Sequence, residues 1–179
     1  PAGSLTINAS ESVEVGGFEG ESIPGIFSGS FVSIDTSGDG NAGNLTINTK
    51  RLVVRDGARI SAETFEGLGF GGTIVINASE SIALLGNTPD GLNASQINVR
   101  TGGEGSAGNI RITTGQLTVQ DGGSISALTI DRGSGGTMDI NASDFVDVRG
   151  RRFLGEFSSV IDTETIGTGN AGSINITTG

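Results

Sequence analysis

Apolar positions recur along the chain at intervals of 40, 29, 36, 28 and 36 residues, each pair inside a short alternating segment that follows a glycine. The recurrence, the alternation and the glycine punctuation predict an all-β fold: a right-handed parallel β-helix, or solenoid, with three short strands per coil and about five coils plus a partial one. Period-two alternation marks a strand with one buried face. Strands too short to bury that face alone are satisfied by stacking on their own copies. The handedness follows from parallel crossover connections, which are almost always right-handed. A β-sandwich also uses short alternating strands, but it gives no reason for equivalent residues to return at every third strand.

The units open at Gly3, Gly43, Gly72, Gly108, Gly136 and Gly172, and residues 1–179 read as one segment of a longer array. A long unit carrying "INAS" alternates with a short one carrying "INTK" or "ITTG", so the super-repeat is 64 or 65 residues. The first strand of each unit turns Leu5/Ile7, Leu45/Ile47, Ile74/Ile76, Ile110/Ile112, Met138/Ile140 and Ile174/Ile176 inward. The second carries Val13/Val15, Leu52/Val54, Ile82/Leu84, Leu117/Val119 and Val146/Val148, its offset one residue shorter in the short units. The third carries Val32/Ile34, Ile60/Ala62, Ile97/Val99, Ile125/Ala127 and, in the last full unit, Val160 with Ile161. Stacked about 4.8 Å apart, such coils make a rod roughly 24 Å long.

Composition agrees with turns and strands: 32 Gly, 3 Pro and 34% apolar residues suit many short elements joined by tight corners. With no Cys there is neither a disulfide framework nor a thiolate metal site. The net charge of −10 repels nucleic-acid phosphates and anionic lipid, so neither is an expected partner. The longest apolar runs, such as "IALL" at 82–85, are far too short for a membrane span.

The stretch "SGDGNAGNLTIN" at 37–48 resembles half of a calcium loop, yet its copies argue otherwise. "GDGNAG" at 38–43 returns as "GEGSAG" at 103–108 and "GTGNAG" at 167–172, so the acidic position holds Asp39, Glu104 and then Thr168. A hard cation tolerates the exchange of Asp for Glu but not for Thr. Asp35 also lacks the glutamate of a calcium loop, because Thr46 stands at that spacing. These stretches therefore read as corners. Their glycines are expected to supply unusual backbone angles, and Asn or Ser to bond its own neighbouring backbone. No metal or cofactor is expected. "RDG" at 55–57 and "QDGG" at 120–123 read as turns, making Asp56 and Asp121 turn formers.

Asn8, Asn77 and Asn141 sit at one corner of alternate units, where stacked amides can form a hydrogen-bonded ladder. They also match the glycosylation sequon, as do Asn44, Asn93 and Asn175. Catalysis is not expected: acid and base work needs two positioned groups, and the carboxylates are scattered over turns. A polysaccharide-active β-helix enzyme is the lesser alternative.

The long units insert "GGFEGESIPGIFSGS" at 16–30, "LGNTPDGLNAS" at 85–95 and "RGRRFLGEFSS" at 149–159, all leaving the same corner. Repeat arrays commonly gather their insertions on one face, often the binding face. Phe18, Phe27, Phe153 and Phe157 lie in these insertions, with Phe31 beside them. Such rings either fold back to cap the corner or contact a partner, a cell-surface glycan or a protein.

The run "GNAGNLTINTKRLVVRDGARISAETFEGLGFGGTIVINASESIALLG" at 40–86 resembles the repeats of filamentous haemagglutinin-like proteins of two-partner secretion systems, particularly the large cyanobacterial kind. "GNIRITTGQLTVQDGGSISALTIDRGSGG" at 108–136 extends the likeness across the remaining units. The resemblance implies secretion through an outer-membrane partner, an extracellular or cell-surface β-helix, and a role in adhesion, aggregation or biofilm. The chain would be an internal fragment of such a protein, lacking its amino-terminal secretion domain. Strand edges exposed at both ends would also allow end-to-end self-association into a structural fibre.

Overall fold

A computed structural model describes residues 2–16, 29–151 and 158–179. Among these the strands are β1 (Ser4–Asn8), β2 (Ser12–Val15), β3 (Phe31–Ser33), β4 (Asn44–Arg55), β5 (Arg59–Thr64) and β6 (Thr73–Leu85). They continue as β7 (Gln96–Thr101), β8 (Asn109–Gln120), β9 (Ser124–Thr129), β10 (Thr137–Arg149), β11 (Val160–Thr165) and β12 (Ser173–Thr178). Two sheets result. One has the order β1-β4-β6-β8-β10-β12 with β2 also on β4, and the other runs β11-β9-β7-β5-β3. All pairings between these strands are parallel.

Registers follow the repeat residue by residue. Leu5 pairs Leu45, Leu45 pairs Ile74, Ile74 pairs Ile110, Ile110 pairs Met138 and Met138 pairs Ile174. Because alternate side chains share a face, these columns and those of the second sheet, Ile60, Ile97 and Ile125, converge on one core. Leu45, Ile47, Leu52, Ile60, Ile74 and Ile97 are fully buried, each stabilising the fold by about 1.5–3 kcal/mol relative to exposure.

Two features differ from the reading of the sequence. First, the expected first and second strands of a unit are separate only as β1 and β2; β4, β6, β8 and β10 run through the corner as single strands. A register shift absorbs the bend, at Thr49/Arg51, Ala78/Ser81 and Ala142/Phe145. Each shift supplies the extra residue of the long units, as a bulge does without ending the ladder. Second, the inward pair of β11 is Ile161 and Thr163, opposite Ile125 and Ala127, so Val160 aligns with Ser124 on the other face. The last unit thus continues the alternation one residue later than its apolar pair implies.

Candidate functional site

Four surface features are built from the repeat, and each is set by a small number of polar atoms or glycines. The first is the glycine corner between the two sheets. Stacking aligns five hexads, at 38–43, 67–72, 103–108, 131–136 and 167–172, two more than the sequence motif shows. Gly72, Gly108, Gly136 and Gly172 each lie against the carbonyl of the preceding equivalent, so a Cβ at any of them would overlap that oxygen. Gly69, Gly105, Gly133 and Gly169 form a second such column. Close backbone approach, rather than unusual backbone angles, is what most of these positions require; within the hexads only Gly38 and Gly67 have positive φ, 90° and 87°.

Asp39 lies in this corner, exposed, with Oδ1 accepting the Leu68 N–H at 3.2 Å. Asn41 Oδ1 accepts the Phe70 N–H at 3.0 Å, so it bonds the next unit rather than its own turn. Asp35 is held separately, accepting the Glu63 N–H at 2.8 Å and the Ser61 hydroxyl at 3.1 Å. The corner is completed by a threonine column that the sequence reading missed. Thr64, Thr101 and Thr129 are fully buried and donate to the carbonyls of Phe70, Ser106 and Ser134 at 2.8, 3.0 and 2.9 Å. Thr165 repeats the bond to Asn170 at 3.1 Å. Its signal was available: a Thr stands two residues after each inward Ala62, Val99, Ala127 and Thr163.

The second feature is the base of each insertion. In the short units Asp56 (φ 57°) with Gly57 (φ 77°), and Asp121 (φ 54°) with Gly122 (φ 91°), form two-residue turns. They are closed by Ala58 N–H to Arg55 and Gly123 N–H to Gln120, with both central residues left-handed as in a type I′ turn. Asp56 and Asp121 are therefore the turn formers that the dipeptides predict. In the long units an isolated antiparallel bridge closes the insertion instead, Asn87 with Ala94 and Arg151 with Ser158. Ser95 and Ser159 tie these bases down. Their hydroxyls donate to Leu85 and Arg149 at 2.7 and 2.6 Å and accept the N–H of Gly57 and Gly122 at 3.1 and 3.0 Å. Phe18, Phe27, Phe153 and Phe157 lie outside the described residues, while Phe31 at the start of β3 is 59% exposed.

Third is the amide ladder. Asn48 donates to Asn8 and Asn77 donates to Asn48, both at 2.8 Å. The expected ladder of Asn8, Asn77 and Asn141 is thus corrected: Asn48 of the intervening unit is its middle rung, and Thr113, standing between Asn77 and Asn141, ends it before Asn141. A charged row runs nearby, with Arg51 between Glu11 at 3.7 Å and Glu80 at 2.7 Å. The Glu14 hydrogen bond, with nearby Asp56, holds the Arg55 guanidinium above its ordinary range.

The fourth is the outer face of the five-stranded sheet. Glu63 is fully buried there, accepting from Asn98 Nδ2 at 2.5 Å and Arg59 Nη1 at 3.2 Å. Glu63 Oε2, Asn98 Oδ1, Arg100 Nε and Asp162 Oδ1 are buried on this face without hydrogen-bond partners among the described residues. Sequence pattern hid them, because an outward position of a strand reads as solvent-facing.

Among the described residues no cluster of three or more acidic side chains is poised around a metal, and no helix is long and apolar enough to cross a membrane. No family model, curated protein or solved structure matches the chain.

Proposed function

We propose that the chain is a segment of a right-handed parallel β-helix of five coils and a partial sixth, acting outside the cell as a non-enzymatic stalk or adhesin. The observation that carries this reading is the parallel pairing of equivalent residues at the repeat intervals in both sheets. A unit that bonds only to its neighbours can be added again and again without altering the rest, which is how a chain builds length and displays insertions at a fixed spacing. The likeness of the 40–86 and 108–136 runs to filamentous haemagglutinin-like repeats supports the same role, with export through an outer-membrane partner and adhesion, aggregation or biofilm as its outcome.

The test is adhesion of the purified chain to cells and to immobilised glycans, with Phe18, Phe27, Phe153 and Phe157 changed together to Ser. Binding that the substitutions abolish supports an adhesin using the insertion face; failure to bind any surface removes the adhesin reading.

A structural fibre is the second reading, favoured by one observation: the same unit-by-unit parallel pairing that lengthens the rod within the chain would also build a fibre. Electron micrographs showing filaments one coil wide, with an axial period of whole coils near 4.8 Å, would support it; a monodisperse monomer at high concentration would oppose it.

A further inference from the structure

Asn77, Thr113 and Asn141 occupy adjacent rungs of β6, β8 and β10, and all three are exposed. The amide ladder stops at Asn77, whose Nδ2 is engaged with Asn48; among the described residues its Oδ1 accepts no hydrogen bond, and Thr113 and Asn141 make no side-chain hydrogen bonds. These groups face a groove of about 590 Å³ that crosses four strands, from Asn48 on β4 to Ser143 on β10. Its length over three strand spacings is about 14 Å.

Gly115 lines this groove, and a Cβ on it would stand 2.5 Å from the Glu80 carbonyl oxygen. It stands between Thr114 and Gln116, opposite the Ser79–Glu80 bulge, where the other short unit has Lys50 between Thr49 and Arg51. The cleft runs on past Ser79 and Ser143 into a second concavity of about 430 Å³. At its other side, Thr113 and Asn141 also line a third, of about 260 Å³.

We propose that this groove binds an uncharged glycan laid along the stacking direction; the inference rests on the adhesin reading and names its ligand class and site. Among the described residues no charged side chain lines the central groove; Glu80, Asp144, Arg111 and Asp139 line only the flanking concavities. Its open groups comprise the carboxamide oxygen of Asn77, the hydroxyl of Thr113 and the full amide of Asn141, a mixture of acceptors and donors that matches sugar hydroxyls, which both donate and accept. Ala78 and Gly115 are buried beneath this row, so a sugar would meet the exposed side chains of Asn77, Thr113 and Asn141. The −10 net charge disfavours carboxylated or sulfated chains at the same place.

The experiment titrates the whole chain with short neutral oligosaccharides (cello-, malto- and manno-) and with their uronic-acid counterparts, following side-chain amide signals of Asn77 and Asn141 by NMR. A neutral series should bind and shift those amides, and Asn77→Ala and Asn141→Ala should each weaken it about fivefold, the loss of one or two net hydrogen bonds. Thr113→Trp, which fills the groove, should abolish it; a melting curve tests whether that variant folds, and the two Ala variants of exposed residues stand if it does not. Glycan binding that ignores all three substitutions but disappears with the Phe variants overturns the groove and leaves the adhesin intact. Cell adhesion that no neutral oligosaccharide competes also overturns it, while self-association blocked by Thr113→Trp would make the occupant a second copy. Absence of any adhesion removes both readings.

Discussion

Gly72 packs against Gly43 so closely that a Cβ on Gly72 would overlap the Gly43 carbonyl oxygen and stand 2.7 Å from the Ala62 Cβ. Both obstacles belong to backbone or to the base of a strand, so neither can swing aside. Gly72→Ala should therefore destabilise the chain by more than about 3 kcal/mol. Gly3, with nothing within 4 Å of a Cβ, is the comparison: Gly3→Ala should stay within about 0.5 kcal/mol. Urea denaturation of the two variants separates close packing from a general intolerance of side chains in the corner.

Ser95 is fully buried and links an insertion base to the turn of the preceding unit, bonding Leu85 and Gly57. Ser95→Ala removes both bonds and leaves a buried N–H and carbonyl short of a partner. A loss of about 1–3 kcal/mol is expected. Hydrogen exchange should show the Gly57 amide opening faster, with the β9 amides little affected.

Thr129 donates to Ser134 at 2.9 Å and accepts from the Ala107 N–H at 3.0 Å. Thr129→Val keeps the shape and deletes the hydroxyl, so stability should fall by about 1–3 kcal/mol, whereas Thr129→Ser should retain most of it. A loss in Thr129→Ser with none in Thr129→Val, measured by thermal melting, would show that the methyl group matters and the hydroxyl does not.

Asp121 holds φ at 54° without being glycine. Asn tolerates this region and a β-branched residue does not. Asp121→Asn should change stability by less than about 0.5 kcal/mol and Asp121→Val should cost about 1–3 kcal/mol, with the order read from denaturation midpoints.

The Glu11–Arg51–Glu80 row is about half exposed. Exposed pairs contribute little and are screened by salt. Glu80→Gln should cost less than about 1 kcal/mol, and that difference should vanish in molar salt.

Much of the architecture was legible because it depends on one local property, the alternation of apolar residues. Leu45, Ile74 and Ile110 announce their columns from their own neighbours in the chain, and the register confirms each pairing. The Asp-Gly turns were legible for the same reason, since left-handed φ is a local demand. The threonine column was overlooked because a Thr next to apolar residues reads as an ordinary strand residue. The partner of the Thr64 hydroxyl, Phe70, lies across a corner. The polar groups around Glu63 were invisible for a different reason: their burial is a property of what surrounds the sheet, not of the strand that carries them.

The sequence alone determined most of the residues that face the core, because these follow from periodicity within a few residues. Only the tertiary structure decided why the corner needs glycine, which asparagines share a ladder and where the groove opens. Each of those depends on atoms of adjacent units 28 to 40 residues away in the chain, brought to about 4.8 Å by strand pairing. At that separation a single missing Cβ, at Gly72 or Gly115, settles whether neighbouring backbones can meet.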